Sequence, residues 1–184
     1  MLGALILGII VAAGIAYAGI VVIYPITGSV SEENPPVVFE EGSNSGSPGL
    51  NGGTVEVSIG DNGASAVLSL QATYQTTYVV NILKIANNDA SNTYYVKVAV
   101  VSPIAADEVS EAKMLIDIDG DGTVDTSLDL TSTVSPVTFT LPAGSTATVS
   151  FKFVIAEDQS FTGTLNFELS LYYSPETPIP APPS

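Results

Sequence analysis

The sequence predicts an all-β fold, an antiparallel sandwich or jelly roll, preceded by an N-terminal apolar segment that can serve as helix or donor strand. Three observations predict it. Between Val55 and Leu171, apolar residues recur at every second position in short runs, the period of a half-buried strand. Clusters of Gly, Asn, Asp and Pro separate those runs. No stretch among them carries a comparable helical period.

The elements follow in order. Met1 to Ile23 is an unbroken apolar run, about the roughly 20 residues that span a bilayer as a helix. Gly8, Ala12 and Ala16 recur four apart, as do Gly14 and Ala18, a spacing that lets another helix approach closely. Pro25 would end such a helix. Three readings are open for this segment: a secretory signal cleaved after Ala16-Tyr17-Ala18, a retained pilin-like helix, or a single membrane anchor. With period two, Ile20, Val22, Tyr24 and Ile26 share one face, so the same region also reads as a strand in search of a partner. Gly8, Ala12, Ala16, Ile20, Val22, Tyr24 and Ile26 are the candidate assembly contacts.

The chain is thus divided into an apolar segment 1–25 with a donor strand 19–30, a linker 26–53, a sandwich 54–174 and a proline-rich tail 175–184. The stretch "EEGSNSGSPGLNGG", Glu40 to Gly53, gives the linker its character. In the sandwich, Val55, Val57 and Ile59 alternate with polar residues, and Ala66, Leu68 and Leu70 do the same. "TYVVNILKIA", Thr77 to Ala86, is apolar on both faces, as a central strand is. Ala106 to Ala112 reads as one helical turn. Val96 to Val100, Val137 to Leu141, Val149 to Ile155 and Leu165 to Leu171 supply further strands. The tail "SPETPIPAPPS" is unfit for a sheet interior.

Composition narrows function. The 184 residues suffice for one domain with a real core. Lys84, Lys97, Lys113 and Lys152 are the 4 basic residues against 19 acidic ones, for a net charge of −15. A phosphate backbone binds through Lys and Arg, so a nucleic-acid partner is excluded. Anionic membrane surfaces are disfavoured for the same reason, leaving the apolar segment as the route to a membrane. Only 12% of residues are charged and 46% are hydrophobic, a profile that suits an extracellular or cell-surface β-protein. Cysteine and histidine are absent, which removes disulfides, the usual zinc sites and the common nucleophilic triads. The chain reads as non-catalytic.

One motif carries ligand chemistry. In "DIDGDGTVD", Asp117, Asp119, Asp121 and Asp125 fall at positions 1, 3, 5 and 9 of a calcium loop, with Gly122 at the sharp turn and Thr123 offering its carbonyl. Position 12 is Leu128 rather than a bidentate Glu. Ca2+ is the candidate cofactor, completed by Asp129, another loop, water or a second subunit. A plain Asp-Gly hairpin turn is the competing explanation. Tyr74, Tyr78, Tyr94, Tyr95, Tyr172 and Tyr173 are candidate surface aromatics or ordinary packing.

With these pieces placed, the chain resembles archaeal extracellular filament subunits of the TasA/camelysin type, which include bundling-pilus and cannula proteins. The likeness rests on "NPPVVFEEGSNSG", "VVNILKIANNDASNTYYVKVAV" and "LPAGSTATVSFKFVIAEDQSFTGTLNFELSLYY". It implies a jelly roll that polymerises with itself by donor-strand complementation, strengthened by calcium, with Gly19 to Val30 as donor. A retained helix shifts the likeness to archaeal type IV pilins, although Leu5 stands where bacterial pilins carry Glu. The expectation is a structural subunit of an extracellular filament. The alternative is a membrane-anchored, monomeric cell-surface binding module.

Overall fold

A computed structural model describes residues 34–48, 55–72, 74–155, 161 and 163–176. The donor strand 19–30 and the assembly residues Gly8, Ala12, Ala16, Ile20, Val22, Tyr24 and Ile26 lie outside the described residues, as does most of the tail. No helix among the described residues is long and apolar enough to cross a membrane.

The described residues form ten strands: β1 Val37–Glu41, β2 Glu56–Gly60, β3 Ser65–Gln71, β4 Thr76–Asn87, β5 Tyr94–Ser102, β6 Glu111–Asp117, β7 Thr126–Asp129, β8 Val137–Leu141, β9 Thr146–Val154 and β10 Thr164–Ser174. They form two five-stranded sheets, ordered β1-β4-β9-β6-β7 and β2-β3-β10-β5-β8. Every ladder is antiparallel. The hairpins β2–β3 and β6–β7 stay within a sheet, and all other connections pass between sheets. The expected antiparallel β-sandwich is therefore what the chain forms.

Alternation builds the core. Ala147, Val149, Phe151 and Phe153 point inward from β9, and Leu165, Phe167, Leu169 and Leu171 from β10, all at most 5% exposed. The rings of Phe151 and Phe153 meet that of Phe167 across the sheets, with centroids 5.2 and 6.2 Å apart. Such tilted aromatic contacts add to the area they bury. At one end of the sandwich the buried Asn87 amide replaces missing backbone partners. Its Nδ2 donates to the carbonyls of Asn92 and Pro142 at 2.8 Å and of Leu141 at 3.3 Å. The Asn87–Asn92 turn is thereby fastened to the β8–β9 turn.

Two expectations are corrected. The segment read as linker contains β1, which pairs along β4 from Val37 opposite Asn87 to Glu41 opposite Leu83. Val37 and Phe39 are 1% and 2% exposed, so two inward apolar residues sufficed to recruit a short strand from a Gly/Ser-rich context. The second concerns Ala106 to Ala112. It holds a turn closed by Glu108 N–H donating to the Ala105 carbonyl, and Glu111 and Ala112 already belong to β6. Ala112 is buried opposite Phe153, and strand pairing outweighs one isolated helical turn.

The double-sided apolar pattern of β4 has a specific cause. Val79 pairs with Phe151 and Leu83 with Val149, so four steps on β4 oppose two on β9. This bulge lets Ile82 and Leu83 both be buried while Val80 stands 51% exposed on the outer face. Gly42 packs directly against it. A Cβ at Gly42 would lie 2.1 Å from the Asn81 carbonyl oxygen, so no larger residue fits.

Candidate functional site

The outer face of the first sheet is laid out by its registers. One row across the strands holds Tyr78, Lys152, Lys113 and Asp129, and another holds Glu40, Lys84, Thr148 and Asp117. Between them lies Ser150, opposite Leu115 and beside the β4 bulge. Here the surface is indented by a depression of about 350 Å3. Val80, Leu115 and Val124 make its apolar part, and Asn81, Asp117, Thr148 and Ser150 its polar part. Gly122 of the β6–β7 hairpin completes the rim.

The hairpin itself is built from its own carboxylates. Asp117, the last residue of β6, accepts the N–H of Gly120 at 2.7 Å through Oδ1 and that of Gly122 at 2.9 Å through Oδ2. Asp125 Oδ2 accepts the Ile118 N–H at 2.7 Å, and Asp119 Oδ1 the Asp121 N–H at 3.1 Å. Gly122 takes φ +87°, the sharp turn expected at that position and one that side chains rarely adopt. Asp117, Asp119 and Asp125 each place an oxygen within 4.8 Å of the others.

Not all predicted ligands join them. Asp121 is outside that group and accepts the Thr123 N–H at 2.7 Å. Asp129 stands at the far end of β7 from the hairpin loop, accepting from the Thr131 N–H and hydroxyl. Leu128, where a helix-flanked calcium loop places its bidentate Glu, is buried in the core. The donor set nevertheless suits a hard cation: three carboxylates converge, and those of Asp119 and Asp125 each keep an oxygen that accepts no protein hydrogen bond among the described residues. Calcium fits with water completing its shell.

The tyrosines do not gather into one patch. Tyr94 packs edge-on against Tyr173 and donates to Asp89, and Tyr74 packs edge-on against Phe161. Tyr172 carries Lys97 over its ring on the second sheet. Tyr78, 60% exposed, alone of these shares the outer face of the first sheet with the depression.

The bulge is the part of the site that periodicity missed. Its signal is Asn81, a polar residue in the middle of the apolar run "YVVNILKI".

No family model matches the chain, and no curated protein does. Among solved structures, one similar to it is a low-affinity xylan-binding module, CBM86, from Roseburia intestinalis, at 10% identity and TM-score 0.33, covering 75% of this chain and 96% of that one. Another is TmCBM61 in complex with β-1,4-galactotriose, at 8% identity and TM-score 0.28, covering 77% and 91%. The likeness is one of β-sandwich fold. Neither description names a filament subunit, and the expectation of one is withdrawn.

Proposed function

We propose that the chain is a non-catalytic cell-surface binding module that takes a neutral glycan on the outer face of its first sheet. The apolar residues 1–23 anchor it in the membrane, and calcium is held at the β6–β7 hairpin. One observation carries the reading: the depression pairs an apolar part, Val80, Leu115 and Val124, with the amide, hydroxyl and carboxylate groups of Asn81, Thr148, Ser150 and Asp117. A sugar ring has the same division, with C–H faces and a rim of hydroxyls. The volume falls in the range of small-molecule sites, roughly 300–1,000 Å3.

Charge supports the choice of a neutral ligand. The chain has 4 basic residues, and two of them, Lys113 and Lys152, are occupied by Glu111 at 3.0 and 2.5 Å. A polyanion would meet mostly carboxylates. Calcium at Asp117, Asp119 and Asp125 would neutralise the edge of the depression and stiffen the hairpin that forms its rim.

Affinity electrophoresis of the full chain in mild detergent, through gels containing neutral polysaccharides and excess calcium, tests the proposal. At least one polysaccharide is expected to retard the protein, and Thr148→Val to reduce that retardation. Unchanged mobility in every neutral polysaccharide overturns it.

A further inference from the structure

The β4 bulge holds a residue in a conformation that the sheet does not require. Three non-glycine residues among those described have positive φ: Asp61, Asn62 and Asn81. The first two sit in the β2–β3 turn, where such angles are ordinary. Asn81 has φ 53° inside a twelve-residue strand, between two partners. Glycine adopts this conformation without strain and Asn is among the side chains that tolerate it best, so the position is filled by a residue that also brings an amide.

Four backbone groups around the bulge find partners without the Asn81 amide. The Val80 carbonyl accepts from Asn44 Nδ2 at 2.8 Å, and the Asn81 carbonyl from the Asn44 N–H at 3.1 Å. The Asn81 N–H donates to Ser150 Oγ at 3.2 Å, and the Ile82 carbonyl accepts from the Gly42 N–H at 3.0 Å. The bulge is thus clamped from the 42–44 turn on one side and from β9 on the other. The Asn81 amide makes no hydrogen bond to any described residue, is exposed, and lines the depression. Bulges commonly re-aim a side chain next to a binding site, and strain persists where the surroundings over-determine it.

We propose that Asn81 is the specificity-determining residue of the glycan site, its amide donating to one hydroxyl of a sugar and accepting from the adjacent one. This rests on the binding reading above and deepens it: the ligand is a neutral glycan presenting a free vicinal diol. A carboxamide offers a donor and an acceptor side by side, which matches two neighbouring hydroxyls, one accepting and one donating. The clamp fixes the backbone that carries the amide before the ligand arrives, so less ordering is left for binding.

The test compares Asn81→Gly and Asn81→Asp with the parent chain on the neutral polysaccharide that retards it most, and on the same polysaccharide after partial O-acetylation. Asn81→Gly keeps the backbone angle, so its melting temperature is expected to stay at or above that of the parent while affinity falls about tenfold. The parent's preference for the unmodified over the acetylated polymer is expected to shrink towards unity in Asn81→Gly, with Asn81→Asp between. If the parent binds and Thr148→Val weakens it, but Asn81→Gly keeps both affinity and preference, the role of Asn81 is overturned and the binding module stands. If the parent binds no neutral polysaccharide, both fall together.

Discussion

Single side chains show how this sandwich handles a large excess of acid over base. Asp89 accepts four hydrogen bonds, from the Ser91 and Asn92 N–H groups, Asn92 Nδ2 and the Tyr94 hydroxyl. Those bonds, the Asn92 side chain first, hold its carboxyl below the usual range. Burial and then Asp89 push the Tyr94 hydroxyl up. Glu111 is lowered as well, chiefly by the hydrogen bond from Lys152 and next by that from Lys113, and Lys152 is raised by the same contact. The sign follows from linkage. A carboxyl more acidic in the folded chain than its ordinary 4.5 stabilises fully above that value and ceases to do so as pH falls through the folded one. Glu111→Gln is therefore expected to lower the melting temperature at neutral pH. The gap to the parent should close as pH drops below about 4.5. A gap that is constant from pH 7 to pH 3 in thermal scans would show that the Lys152 contact contributes nothing. The effect will be modest because the partners are partly exposed and salt screens them.

At the scale of elements, the β6–β7 hairpin makes the sharpest prediction. Asp117, Asp119 and Asp125 converge, and the calcium proposed there would offset their mutual repulsion. With free calcium at about one hundred times its Kd, linkage adds about 2.7 kcal/mol. For a domain of this size that is a rise in melting temperature of about 5–11 °C. Asp119→Asn or Asp125→Asn is expected to abolish the calcium-dependent rise, whereas Asp121→Asn, outside the converging set, keeps most of it. Equal melting curves in calcium and in chelator would remove the metal. The hairpin was legible because ligand spacing and turn glycines are local features of a sequence. Strands β3 and β9 were legible too, since each keeps strict alternation over its whole length, as was β10, which keeps it from Thr164 to Tyr172. Two elements were hidden for physical reasons. β1 offers only Val37 and Phe39 inward and becomes a strand through its pairing with β4. The bulge in β4 shifts the phase of alternation halfway, so a strand with one outer face looked apolar on both. The depression depends on that shift meeting β6 and β9, a coincidence of three strands that no local pattern contains.

At the scale of the whole sandwich, the described residues carry features that oppose pairing with further copies. Buried apolar residues from Val37 to Leu171 close the core between the two sheets, and that core draws on every strand except β2, whose Val57 and Ile59 pack against it half-buried. Sheet edges are where such a fold is open to further pairing. Among the described residues, edge strands β1, β7 and β2 each carry acidic side chains, Glu40 and Glu41, Asp129 and Glu56. The fourth, β8, is entered from Pro136, which has no N–H to offer a partner. A net charge of −15 adds long-range repulsion between copies. A chain beginning at Asn34 is therefore expected to fold without the apolar segment, to sediment as a monomer without detergent, and to melt in one cooperative transition within about 3 °C of the full chain, which corresponds to roughly 1 kcal/mol. Because Asn81, Thr148, Asp117 and the hairpin all belong to the sandwich, its glycan affinity should match that of the full chain. Loss of the cooperative transition would mean that residues 1–33 supply part of the core. Retention of the fold with loss of affinity would place the ligand contact in those residues instead of on the first sheet.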